Sequence, residues 1–81
     1  MLVQRTPIPP AELQAFEAAI LASGRDPATF HAEMFQAAND AASPMRRVHV
    51  VSCRASAQYE ASNGPAWTES FARHLARGFF G

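Results

Sequence analysis

The best-defined hydrophobic pattern in this chain lies near the C-terminus, over residues 63–80. Trp67, Phe71 and Leu75 recur every four residues, which places them on one face of a helix. Glu69, Arg73 and Arg77 fall on the opposite side, with Ser70, His74 and Gly78 flanking the stripe. Gly64-Pro65 supplies the start, because proline at a first helical position loses only a hydrogen bond it could not make. Ser62 or Asn63 is the expected cap, and Gly78 the expected stop. Burying the three large residues contributes roughly 1.5–3 kcal/mol each. In a chain this small, that anchor dictates where the other elements sit.

A second helix is predicted over residues 10–23. Leu13, Phe16 and Ile20 form its apolar face, and Gly24 closes it. Glu12 falls in its first turn, where the helix dipole favours an anion. Ile8 is placed to staple onto Leu13. Ahead of it, Thr6-Pro7-Ile8-Pro9-Pro10 is stiff and extended, since each proline disfavours helix in the residue before it. Residues 1–8 are therefore expected as an extended arm.

Residues 25–42 fit two patterns. As a helix, Asp26 caps, Pro27 takes the first position, and Phe30, Met34 and Ala37/Ala38 share a face. As a strand, Phe30, Ala32 and Met34 face one way, and His31, Glu33 and Phe35 the other. The strand is preferred because the segments that follow would otherwise form a bare two-stranded ribbon, which is marginal in water. Residues 39–44 are a turn cluster. Arg46–Cys53 reads as a strand through Val48, Val50 and Val51. The chain reverses near Arg54–Ser56, and Ala57–Ala61 returns with Ala57, Tyr59 and Ala61 on one face. The expected fold is α+β: N-terminal helix, three-stranded antiparallel sheet, C-terminal helix, an αβββα arrangement in two layers. The alternative is two N-terminal helices, a β-hairpin and the C-terminal helix. The expected core is Leu13, Phe16, Ile20, Phe30, Met34, Val48, Val50, Tyr59, Trp67, Phe71 and Leu75.

Composition narrows the class. The 81 residues suffice for a single small globular domain, residues 1–81. An apolar share of 48% is ordinary for such a domain, and disorder would need fewer aromatics and more net charge. Net charge is zero, so no global field draws the chain to nucleic acid or anionic membrane. The charge is nevertheless split: residues 1–45 hold two arginines against five acids, and residues 46–81 hold five arginines against two. The halves are expected to neutralise each other in the fold, or else to leave a dipolar surface that assists association. The chain has seven arginines and no lysine, and alanine is abundant, a pairing typical of GC-rich bacterial coding sequence. The lone Cys53 excludes an internal disulfide. The N-terminal residues lack the pattern of a signal peptide, and no apolar run reaches membrane-spanning length. A cytoplasmic setting is the default expectation.

Candidate chemistry is sparse. His49 and Cys53, four apart on a strand, share a face, and His31 or His74 could join them as metal ligands or a Cys–His pair. Two strand residues are only half a zinc site, and no short spacing supplies the rest. Asn63-Gly64-Pro65 before a helix could hold an anion, but ordinary capping explains it. The face away from the helices is expected to carry His31, Glu33, Phe35, Arg47, His49, Val51, Cys53, Gln58 and Glu60. An aromatic beside arginines on an open sheet is how some RNA-binding folds stack bases. The acidic residues on the same face count against that use. The leading expectation is a non-enzymatic protein-interaction module with no cofactor or metal, acting through Phe35, Arg47, His49, Val51 and Cys53. Its partner is an unknown protein or, as a weak homodimer, a second copy. The alternative is a nucleic-acid-binding accessory domain.

Overall fold

The computed structural model describes residues 2–38, 45–62 and 64–80. Its fold is α+β, with two helices and a four-stranded antiparallel sheet in the order β1-β2-β3-β4. The strands are β1 (Leu2–Thr6), β2 (His31–Ala38), β3 (Met45–Val51) and β4 (Ser56–Glu60). Helix α1 (Pro10–Ala22) separates β1 from β2, and α2 (Ala66–Ala76) follows β4.

Two expectations need correction here. The sheet has four strands, because the arm is not free: Leu2–Thr6 pairs antiparallel with β2, from Leu2 opposite Ala38 to Thr6 opposite Met34. The pairing supplies β2 with a second neighbour, which is why a segment of high helix propensity settles as strand. The helical pattern read from Asp26 and Pro27 survives only as one 3-10 turn, Pro27–Thr29, with the Asp26 carboxylate accepting from the Ala28 amide at 2.9 Å. The predicted turn over residues 39–44 lies outside the described residues.

Strand limits also move. β3 ends at Val51, so Cys53 is not on the strand but exposed in the turn beyond it. No glycine is needed for that reversal. The Ser52 amide donates to the Ala55 carbonyl at 2.8 Å, and the Ser52 hydroxyl accepts from the Ala55 amide at 3.2 Å. A serine hydroxyl replaces the missing turn residue.

Both helices lie on one face of the sheet. Met34, Val48 and Tyr59 stand in register across β2, β3 and β4, and Ala32, Val50 and Ala57 form the next row. Against them pack Phe16 and Ile20 of α1 and Trp67, Phe71 and Leu75 of α2. Phe80 folds back into this core, whereas Phe79 is 48% exposed. Gly78, at φ +78°, makes that return bend, just past the C-terminus of α2.

The phase of α1 differs from its apparent apolar face. Glu12 is buried and Leu13 is 39% exposed. The reason is Trp67, which is buried and whose indole Nε1–H donates to Glu12 Oε1 at 2.7 Å. Glu12 Oε2 also lies 3.9 Å from the Arg46 guanidinium, which donates to the Ala61 carbonyl at 2.7 Å. A buried carboxylate so partnered offsets its desolvation, and it draws the first turn of α1 inward. Helix α2 starts at Ala66 with Pro65 at the cap and no side-chain capping bond. Ser62, one expected cap, instead accepts from the Arg46 amide at 3.2 Å, and Asn63 lies outside the described residues.

Trp67→Ala is expected to cost about 3–5 kcal/mol, through the cavity and the orphaned Glu12 together. Chemical denaturation measures it, and a loss below about 1 kcal/mol would make α2 peripheral. Tyr59 supplies a second expectation. Its hydroxyl pairs with His74 Nδ1 at 2.7 Å, and burial pushes it up to about 12 from an ordinary value of 10. A phenol raised in the folded state stabilises fully below the unfolded value, and that contribution is lost as pH climbs from 10 towards 12. As Tyr59 is the sole tyrosine, its tyrosinate absorbance should rise only near pH 12, with stability falling from pH 10 upward. Tyr59→Phe should remove the part of that fall that tracks tyrosinate formation.

Candidate functional site

Strand alternation gives the sheet two unlike sides. The side away from the helices carries side chains in cross-strand rows. One row runs Arg5, Phe35, Arg47, Glu60 across all four strands. The next runs Glu33, His49, Gln58 across β2, β3 and β4, and beyond it His31, Val51, Ser56. On the other flank Ala37 stands opposite Met45. Among the described residues, no helix or loop forms part of a core on this side. Phe35, Glu33 and His49 are half-buried by their neighbours. Arg47, Gln58 and Glu60 are exposed, Val51 is 38% exposed and Met45 42%.

The sequence reading therefore placed Phe35, Arg47, His49 and Val51 on a common surface, and the structure brings them together there. Cys53 lies outside the rows, in the turn at the end of β3. Arg5 was missed, because it belongs to the segment expected as an arm. Its signal was weak: the run is free of proline and glycine and holds Val3 and Thr6, but Leu2-Val3-Gln4-Arg5-Thr6 does not alternate apolar with polar. Arg46, next to Arg47 in the chain, turns to the helix side and the Glu12 carboxylate.

Charge on the outer face is balanced, two arginines (Arg5, Arg47) against two glutamates (Glu33, Glu60). Glu33 is engaged within the chain: His31 Nε2 lies 3.0 Å and Arg5 Nη2 3.7 Å from its Oε1. The hydrogen bond from His31 holds its carboxyl below the usual range, with the charges of Arg5, His31 and His49 adding to the effect and burial opposing it. Arg47 and Glu60, opposite each other in register, form no ion pair among the described residues. Beside them Gln58 and Tyr59 complete an open depression of about 360 Å³ at the β4 edge.

The grouping of His49 and Cys53 with His31 or His74 does not form. His74 lies on the helix side with Tyr59, and Cys53 is beyond the strand end. Among the described residues no three His, Cys, Asp or Glu side chains are placed to hold a metal ion. No helix among them is long and apolar enough to cross a membrane. Comparison with protein-family models, curated proteins and solved structures gives no match.

His31→Ala should raise the Glu33 pKa, since it removes the largest cause of its depression. A carboxyl held low in the folded state adds stability above its unfolded pKa, and loses it as pH falls through the folded value. Side-chain NMR titration reads the shift, and an unchanged Glu33 would detach His31 from it.

Proposed function

We propose that this protein is a non-enzymatic interaction module that binds protein through the outer face of its sheet. The observation that carries this reading is the one-sided cover of the sheet. The inner face is packed under two helices, while the outer face presents Phe35, Val51 and Met45 among charges of both signs. Antiparallel sheets that face water on one side are normally polar there. Large apolar groups left on such a side are suited to contact with another surface. Balanced charge suits a protein partner, whose surface also carries both signs, better than a polyanion.

A second reading has one observation in its favour. Phe35 lies between Arg5 and Arg47 in a single row, an arrangement on which unpaired bases stack. Glu33 and Glu60 oppose it, as each would repel a phosphate backbone.

A photo-crosslinking residue at Gln58, in the cells that make the protein, tests the leading reading. Adducts with protein are expected from this position and not from Glu17, exposed on α1. Absence of adducts from Gln58, or equal adducts from Glu17, would remove the outer face as the binding surface. Binding to mixed single-stranded RNA that falls steeply with rising salt would favour the second reading instead.

A further inference from the structure

The arrangement of the outer face goes further than an interaction surface of unspecified use, and on that reading of the face it selects an occupant. We infer that the face pairs with its own copy, about a two-fold axis running parallel to the strands between β2 and β3. Such an axis turns the copy over and reverses the order of its strands, so β1 lies over β4 of the second copy and β2 over its β3. Each row then meets the same row in reverse.

Reversal makes every charged row complementary to itself. The row Arg5, Phe35, Arg47, Glu60 reads cation, ring, cation, anion. Against its reverse, Arg5 of one copy meets Glu60 of the other, and Phe35 meets Arg47. Both contacts occur twice. The first joins opposite charges, and the second sets a guanidinium against a ring face, a favourable pairing. The neighbouring row behaves alike, since Glu33 of one copy meets His49 of the other. On the flanks Ala37 meets Met45, and His31 meets Val51, so apolar surface is buried at both ends. Facing sheets lie about 10 Å apart, a gap that an arginine and a glutamate reaching from opposite sides can close.

The other in-plane axis fails this test. Running across the strands, it lays each strand over itself with the rows exchanged. Phe35 then meets Glu33, Arg47 meets His49, and Glu60 meets Gln58. No opposite charges are joined, and an apolar ring faces a carboxylate. The groups that would make the first set of contacts can be reached: Arg47 and Glu60 have no ion-pair partner among the described residues, and the Arg5 side chain is 69% exposed and holds Glu33 at a loose 3.7 Å.

Size sets the strength. Four strands, with seven residues in β3, give a face of roughly 19 by 23 Å. That is small beside the roughly 800 Å² per partner of a standard interface, so the dimer is weak and concentration-dependent.

Charge exchange at one contact tests the pairing. Arg5→Glu and Glu60→Arg each turn two attractive contacts of the dimer into two repulsions. Both positions are exposed, and thermal melts of the two variants check that they remain folded. In sedimentation equilibrium at high concentration, the wild-type chain is expected to dimerise, and each variant alone to dissociate about tenfold more readily or further. An equimolar mixture of the two variants should regain wild-type association. In that heterodimer Glu at position 5 faces Arg at position 60, and Arg5 faces Glu60, so every contact is opposite in sign. Restoration in the mixture is what the reversed register requires, and the doubly substituted chain, Arg5→Glu with Glu60→Arg, whose net charge stays at zero, should associate with itself as the wild type does.

A wild-type chain that stays monomeric, or a mixture no more associated than its components, overturns the pairing. Its failure is distinct from failure of the interaction face. A monomeric wild-type chain with cross-links from Gln58 to a protein of another mass would leave the face in use and exclude the second copy. A monomeric wild-type chain with no cross-links would remove both.

Discussion

The contact between Trp67 and Glu12 organises the rest of this molecule. An indole N–H can only donate, and a tryptophan buried to this depth must find an acceptor inside the protein. Glu12 is that acceptor, reached from a residue 55 positions away. It lies in the first turn of α1, where the helix dipole adds a favourable term for the charge. The guanidinium of Arg46 stands on the other oxygen and also holds the Ala61 carbonyl. One carboxylate thereby fixes α1 against α2 and both against β3 and the chain leaving β4. In a core of this size, with no disulfide, few other contacts join so many elements.

That contact also explains what the sequence could and could not convey. The α2 stripe, the Val48 and Val50 strand and the return through Tyr59 were legible, because hydrophobic period alone defines them. The rotation of α1 was not. Leu13 is the more apolar residue, and local pattern favours burying it over Glu12; only the distant indole reverses the choice. The burial of Phe80 was not legible for a similar reason, since it depends on Gly78 turning the chain back beneath Phe30 and Phe71. The strand at Leu2–Thr6 was hidden by the prolines behind it, which made the whole segment look like an arm. Its partner is β2, itself ambiguous, and neither could be assigned without the other. The β3–β4 turn carried a signal in Ser52 that glycine-based turn reading passes over.

The outer face was legible in part. Period-two alternation placed Phe35, Arg47, His49 and Val51 together once the strands were assigned. What alternation cannot supply is the lateral order across strands, which depends on register. Register sets Arg5 and Glu60 at opposite ends of one row and puts the ring and second arginine between them. The split of charge between the two halves of the chain is resolved in two ways. Glu12 meets Arg46 across the halves in the interior, while the surface charges Arg5 and Glu33 meet within one half.

Connectivity gives β1 a particular status. Among the described residues it is an edge strand, paired along one side with β2, and the long α1 segment intervenes before that partner is reached. Strands β2, β3 and β4 form a continuous meander of nearer neighbours, so they can close before β1 docks. Amide protons of β1 are therefore expected to exchange through local fraying that leaves the helices and the remaining sheet intact. Arg5 rides on this strand, so the outer face is complete only while β1 is docked. Any surface that engages Arg5 draws on that docking equilibrium, and by linkage it tightens the N-terminal strand as it binds.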